Sequence, residues 1–368
     1  MRVAFYAPLK PPDHPIQSGD RRIAKSFLTA LRQAGHQPFV ASRLRSFDGN
    51  GAARHQARVA AQGERIAERL IRQWRARPET APHLWFTYHL YYKAPDWLGP
   101  AISAALGIPY VIAEASHAAK RANGPWAAGH RAVEQALRRA DAVVGLNSAD
   151  REGVMPLLRD PSRWLALPPF LDASAYRARA PRRSEAPRLI AVAMMRHGDK
   201  LASYRFLGAA LAQLLDLSWS LDIVGDGPAR APVEEALMPL GARVRYHGAL
   251  DAADVAEALA RADLFAWPAI NEAFGMALLE AQASGLPVIA GATGGVGDIV
   301  EPGATGLLTP PRDVDAFAAA VRHLILDPAA RDAMGIAAQQ KVRREHDLPA
   351  ATARLARLID AFGRKRAA

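Results

Sequence analysis

Apolar residues fill the run from Arg2 to Ala7, then recur at helical spacing from Gly19 to Ala34 until Gly35 interrupts them. The pattern predicts a strand, an amphipathic helix and a stop, and it repeats along the chain. Pro38 to Ala41, Leu84 to Thr87, Tyr110 to Ala113 and Asp141 to Leu146 read as short buried strands, with a helix from about Leu98 to Leu106. The alternation lapses between about Leu171 and Pro187, where Ala178-Arg179-Ala180-Pro181-Arg182-Arg183-Ser184 follows neither period. It restarts at Arg188 to Val192 and continues through Ser220 to Val224, Val244 to Tyr246, Leu264 to Trp267 and Pro287 to Ala290. A last helix is expected from about Pro349 to Phe362. Short apolar runs alternating with helices imply parallel sheets covered on both faces. The expected fold class is therefore α/β, with two Rossmann-like domains. The boundaries are residues 1–171, a linker at 172–187, residues 188–348, and a helix at 349–368 packing back on the first domain. Open α/β sheets bind ligands outside the carboxyl ends of their strands, so the cleft that two such domains would form is the expected active site.

Composition narrows the chemistry. At 368 residues the chain is longer than one hydrophobic core usually grows, and its 50% hydrophobic and 23% charged residues suit packed globular protein. Cysteine is absent, which excludes thiol nucleophiles, Cys-ligated zinc and disulfides. No run approaches the roughly 20 apolar residues of a membrane span, and Met1 to Pro8 is too short and Pro-broken for a signal peptide, so a cytoplasmic location is expected. The formal net charge of +11 attracts anions such as nucleotides, anionic headgroups or nucleic acid, or it reflects an Arg-rich compositional bias. No nucleic-acid reading motif accompanies it, and nucleic acid is not expected as a partner. From Arg54 to Arg77, Arg58, Arg65, Arg69 and Arg72 recur beside Val59, Ile66, Leu70 and Trp74. That stretch is either a helix docking peripherally on an anionic membrane at its inner face, or a core-facing stripe with a solvated basic face.

The most informative segment runs from Trp267 to Ala290. A strand ends at Trp267, a loop carries Glu272, a helix begins near Phe274, and Gly285-Leu286-Pro287 stops it. Glu272 can accept hydrogen bonds from sugar hydroxyls, and Glu280 a pair from a ribose diol. Backbone N–H groups from Phe274 through Gly275 and Met276 to Ala277 suit a hydroxyl or a diphosphate at a helix N-terminus. Without further context, the two glutamates read first as a helix-start charge and a solvated face residue.

This segment resembles the Glu-x7-Glu motif of family 4 glycosyltransferases, which have the GT-B fold. The resemblance covers essentially the whole chain and is sharpest from about Leu189 to Pro328. Leu221 to Pro228, with Gly225-Asp226-Gly227, looks like the family's strand and glycine turn, and Val244-Arg245-Tyr246-His247-Gly248 like the segment lining its nucleobase pocket. Thr293 to Asp298 and Gly303 to Leu308 complete the set.

The family's phosphate-binding Arg and Lys follow the first strand of the second domain. Here Met194 stands in the usual Arg place, Arg196 is offset and Lys200 matches, so Arg196 and Lys200 are the expected phosphate ligands. Where the family has a Gly-Gly loop, this chain has Gln17-Ser18-Gly19-Asp20, with only Gly19 retained. His117 resembles the family histidine that contacts the transferred sugar. His89 ends the preceding strand, and Tyr88, Tyr91, Tyr92 and Trp97 are candidates either for stacking on an acceptor or for the core.

The resemblance implies a transferase that retains anomeric configuration, with His117 and Glu272 at the transferred sugar. It implies a UDP-, GDP- or ADP-sugar donor and a glycan, lipid-linked or small-molecule acceptor. Neither a cofactor nor a bound metal is implied. A phosphorylase or epimerase on the same scaffold, or a non-catalytic sugar-nucleotide or polysaccharide binder, are the alternatives.

Overall fold

The computed structural model describes residues 1–16, 18–178 and 186–367. The chain divides into two compact units, Met1–Pro168 with Leu348–Ala368, and Pro169–Asp347. The first contains β1 (Arg2–Tyr6), α1 (Gly19–Gln33), β2 (Gln37–Ser42), α2 (Ala53–Ala76), β3 (Leu84–Leu90), α3 (Gly99–Leu106), β4 (Tyr110–Ala115), α4 (Ala127–Arg139), β5 (Ala142–Gly145), α5 (Ala149–Val154) and β6 (Trp164–Ala166). The second contains β7 (Arg188–Val192), α6 (Asp199–Ala212), β8 (Ser220–Val224), α7 (Arg230–Leu237), β9 (Val244–Gly248), α8 (Ala252–Ala260), β10 (Leu264–Trp267), α9 (Met276–Ala283), β11 (Val288–Gly291), α10 (Val296–Ile299), β12 (Gly306–Thr309), α11 (Val314–Leu326) and α12 (Pro328–Lys341). The last helix, α13 (Leu348–Ala367), belongs to the first unit.

Both sheets are parallel and six-stranded, in the orders β2-β1-β3-β4-β5-β6 and β12-β11-β10-β7-β8-β9. Val3, Ala4 and Phe5 are fully buried, as are Leu189, Ile190 and Ala191. Neighbouring residues of a strand point to opposite faces, so burial of consecutive residues means that both faces of each sheet are covered. The continuous apolar runs in the sequence are the direct mark of this arrangement.

Strand ends differ from the sequence pattern where polar residues enter the sheet. β3 continues past Thr87 to Leu90 and β4 past Ala113 to Ala115, which makes His89 and Glu114 strand residues. A buried network supports these strands: Asp96 accepts from the backbone N–H groups of Leu98 and Gly99, each at 2.8 Å, from the Thr87 hydroxyl at 2.5 Å and from the Tyr110 hydroxyl at 2.9 Å. One carboxylate thereby caps α3 and ties it to β3 and β4.

Helix α1 turns Ile23, Ala24, Phe27, Leu28, Ala30 and Leu31 inward, and Ser18 caps it by accepting from Arg21 N–H at 3.3 Å. In α2, Val59, Leu70 and Trp74 are buried, whereas Arg58, Arg65, Arg69 and Arg72 are exposed. The apolar stripe of that basic helix thus serves the core. Trp97 packs there too, against Gly63 of α2, where any Cβ would collide with it. Among the described residues, no helix is long and apolar enough to cross a membrane.

The unit boundary falls at Pro168 and not at residue 171. Leu171 N–H donates to His346 O at 3.0 Å, and Ala173 N–H to Asp347 Oδ1 at 3.0 Å, which binds this segment into the second unit. Of the predicted linker, residues 179–185 lie outside the described residues.

Candidate functional site

In the second unit the strand order reverses between β7 and β10, since chain connections run outward in opposite directions from that pair. A crevice outside their carboxyl ends is the usual ligand site of such a sheet. Lys200, in the first turn of α6 beyond β7, donates from Nζ to Glu272 Oε2 in the loop beyond β10, so one ion pair spans the reversal. The ammonium also lies 5.6 Å from the centre of the Trp267 ring. Two further bonds tie the same elements: Ile270 N–H donates to Ser203 Oγ at 3.2 Å, and Asn271 Nδ2 to Asp199 Oδ2 at 2.8 Å.

The loop beyond β10 is conformationally unusual. Ala269 and Asn271 adopt φ values of 56° and 53°, a left-handed backbone that typically costs about 1–2 kcal/mol in residues other than glycine. Gly275, at φ 79°, begins α9, and the helix proper starts at Met276, beyond the expected Phe274. Phe274 is buried, while Met276 and Ala277 occupy the first turn, whose N–H groups have no acceptor within a helix. Further along α9, Glu280 is only 2% exposed, so its carboxylate is enclosed and not on a solvated face.

The remaining donor-side candidates are placed variously. Arg196 is exposed in the loop beyond β7 and takes no part in the Lys200–Glu272 pair. His247 Nε2 lies 2.9 Å from Asp222 Oδ1, which holds the ring to β8, and Gly248 O accepts from Gly225 N–H at 2.8 Å. The glycines of these turns bring backbone against backbone. Gly225 and Gly227 have φ of 146° and 151°, and a Cβ on them would run into the carbonyl oxygens of Ala193 and Met195. Likewise a Cβ on Gly294 would strike the Glu272 carbonyl.

The first sheet reverses between β1 and β3, and a polar group gathers there. Asp20 stands in the first turn of α1, His89 in β3 and Glu114 in β4. His89 Nδ1 lies 3.4 Å from Asp20 Oδ1 and 3.6 Å from Glu114 Oε1. Burial alone would lower the His89 pKa, but the Glu114 and Asp20 carboxylates outweigh it and push it up to about 9. Burial pushes Glu114 above the ordinary carboxyl range, with His89 opposing and Asp20 adding. For Asp20, burial is outweighed by His89, and its carboxyl sits below the ordinary range. Glu114 itself has φ 56°, so the strand holds it in a strained conformation. Gly19 opens onto space, for a Cβ there would meet nothing within 4 Å.

The aromatic candidates separate. Tyr88 is buried against Phe27, with ring centres 5.3 Å apart, whereas Tyr91 lies 5.1 Å from the His89 ring. Tyr92 meets Trp126 edge-on at 5.8 Å, and Arg121 lies over it at 5.2 Å. His117 makes its polar contacts with α4 and α5: Nε2 is 3.2 Å from Glu134 Oε1 and Nδ1 is 3.1 Å from Gly153 O. Sequence reasoning passed over Glu114, Asp20 and Glu134. The available signal for Glu114 was an acid within the otherwise apolar stretch Tyr110-Val111-Ile112-Ala113-Glu114-Ala115.

Residues 186–327 match the family Glycosyl transferases group 1. A GDP-mannose-dependent monoacylated alpha-(1-6)-phosphatidylinositol monomannoside mannosyltransferase of Corynebacterium glutamicum is 38% identical over 130 residues, 33% of this chain and 34% of that protein. A D-inositol 3-phosphate glycosyltransferase of Kineococcus radiotolerans is 31% identical over 241 residues, 57% of this chain and 55% of that one. The chain thus spans between a third and just over half of these relatives' lengths. Sucrose-phosphate synthase from Thermosynechococcus elongatus superimposes with a TM-score of 0.75 at 19% identity, covering 99% of both chains. Anabaena HepE in complex with UDP gives 0.72 at 18% identity, covering 98% of this chain and 100% of that one. Residues 186–327 are therefore a glycosyl transferases group 1 domain, carried by a chain of GT-B fold.

Proposed function

We propose that this protein is a retaining glycosyltransferase, taking a sugar from a UDP-, GDP- or ADP-sugar held by the second unit. The observation that carries this reading is the Lys200–Glu272 pair across the β7/β10 reversal, beside the start of α9 and within the matched domain. As paired, each charge satisfies the other. A nucleotide sugar offers both a better-matched partner: a diphosphate for the ammonium and hydroxyls for the carboxylate. The first N–H groups of α9 add donors to the same anion, and Glu280 supplies an enclosed acceptor for a ribose diol. Departure of the nucleoside diphosphate is the step that benefits, because positive charge and N–H dipoles stabilise the negative charge that grows there. The acceptor proton passes to the donor phosphate, so no second catalytic carboxylate is required.

The names of the relatives favour two acceptor classes, a phosphoinositide-type lipid and a small polyol phosphate. The +11 formal charge suits either, since both are anionic. Calorimetry of the purified chain against UDP-, GDP- and ADP-sugars, followed by NMR of the product's anomeric centre, tests the proposal. Tight binding of one donor and a product of unchanged configuration are expected. An inverted product would overturn retention, and donor binding without turnover on any acceptor would make the protein a binder. Release of a sugar phosphate when phosphate replaces the acceptor would indicate a phosphorylase, and isomerised free nucleotide sugar an epimerase.

A further inference from the structure

Just beyond β4, the chain meets α4 in a cluster of three side chains. His130 and Glu134 lie one turn apart on the same face of α4, and His117 comes from the loop beyond β4. One potential ligand atom from each of the three lies within 4.8 Å of the others. Glu134 Oε1 is the common point, 3.2 Å from His117 Nε2 and 3.9 Å from His130 Nδ1. The rings stand with centres 4.6 Å apart. Side-chain exposure is 10% for His117, 3% for His130 and 25% for Glu134, which leaves the carboxylate as the path from solvent.

The second contact of His117 decides how the cluster is read. Its Nδ1 faces the Gly153 carbonyl at 3.1 Å, and a carbonyl only accepts, so Nδ1 carries a proton. In the neutral ring Nε2 then presents a lone pair, and it faces a carboxylate oxygen, also a lone pair. Something positive belongs between them. Metal-bound histidines commonly donate their other N–H to a backbone carbonyl in this way. Zinc bond lengths of about 2.0–2.2 Å put neighbouring donors of a tetrahedron roughly 3.3–3.6 Å apart; the 3.2 and 3.9 Å around Glu134 Oε1 bracket that range, and the full set, within 4.8 Å, has to draw in slightly around an ion. A shared proton would account for the His117–Glu134 contact alone. It gives no role to His130, whose buried ring presents Nδ1 3.9 Å from the same oxygen. The outer oxygen, Glu134 Oε2, faces Arg138 at 3.5 Å, which leaves Oε1 to the histidines.

We infer that His117, His130 and Glu134 form a binding site for a divalent transition cation of the zinc type, completed by water. Two imidazoles and a carboxylate suit zinc, cobalt or nickel over magnesium or calcium. Bound there, the ion would fasten the segment after β4 to α4 and, through the Gly153 carbonyl, to α5. This inference concerns the first unit and takes both ring nitrogens of His117, so it stands in place of the sugar contact that the resemblance implies for that residue.

The test uses the full chain without a histidine tag, stripped with chelator and titrated with Co²⁺. About one equivalent is expected to bind with visible d–d absorption, and Zn²⁺ is expected to displace it and raise Tm. Glu134→Gln and His117→Gln, folded by circular dichroism, should each weaken Co²⁺ at least tenfold. Absence of d–d bands and of a Zn²⁺ shift in the unaltered chain would overturn the site, leaving a plain histidine–carboxylate ion pair. Unchanged affinity in both variants would place the ion elsewhere and overturn it equally. Should the variants fail to fold, X-ray absorption on the Co²⁺-loaded natural chain decides: fewer than two imidazole ligands contradicts the assignment.

Discussion

Glu272 and Glu280 are the same residue type on one continuous segment, and their surroundings divide their roles. Glu272 is partly buried and paired with Lys200, whereas Glu280 is enclosed within α9. A group that holds the ribose acts equally before and during transfer, while one that touches the moving sugar acts on turnover. Glu280→Gln is therefore expected to weaken a bare nucleoside diphosphate and the whole donor alike. Glu272→Gln should lower kcat by about 10- to 100-fold, the loss expected of a charge-assisted hydrogen bond worth about 1.5–3 kcal/mol, with little effect on the nucleoside diphosphate. Calorimetry beside steady-state kinetics separates them, and the reverse pattern would mean the roles are exchanged. His89 gives a pH prediction with a definite sign. Its folded-state pKa of about 9 exceeds the ordinary histidine value of about 6.5, so its protonated form is favoured by folding. That contribution is complete below about pH 6.5 and disappears as pH rises through about 9. Urea midpoints measured from pH 7 to 10 should fall in the natural protein and fall less in His89→Asn; equal slopes would show that the Asp20–His89–Glu114 group does not hold that proton.

At the scale of elements, the strand runs were legible because a strand buried on both faces has to be apolar at successive positions. β7, β8 and β10 begin and end where the residues indicated. The extensions of β3 and β4 were not legible, because His89 and Glu114 are polar and only their mutual pairing in space makes them tolerable within a sheet. The glycine turns show a similar limit. Gly225 and Gly227 resembled a family glycine turn, and the neighbours that demand glycine there are the Ala193 and Met195 carbonyls of the loop after β7. Gly225→Ala combines a positive φ with that collision and should destabilise by about 1–3 kcal/mol or more, read as a lower Tm. An unchanged melting curve would show that the two loops can part at no cost. The start of α9 shifted for a local reason: Gly275 is left-handed, so regular helical geometry begins only after it.

Across the whole molecule, the basic helix α2 carries a prediction about membranes. Its apolar residues are spent on the core, so any lipid contact rests on Arg58, Arg65, Arg69, Arg72 and their neighbours alone. Binding of that kind is electrostatic and screened by salt. Co-sedimentation with anionic vesicles at low salt, lost at physiological salt and absent with neutral vesicles, is the expected result; equal sedimentation with both lipids would dispose of it. Alternation of buried strands with helices, set by hydrophobic periodicity, was enough for the sequence to determine two parallel α/β units, and the Trp267–Ala290 segment was enough to single out the loop and helix that carry Glu272 and Glu280. Those features are local, since each depends on residues near one another in the chain. The tertiary structure alone decided that Lys200 meets Glu272, that Glu114 and Asp20 surround His89, and that His117 turns to His130 and Glu134. Such partners come from separate elements brought together by strand order, and no spacing along the chain records which of them will meet.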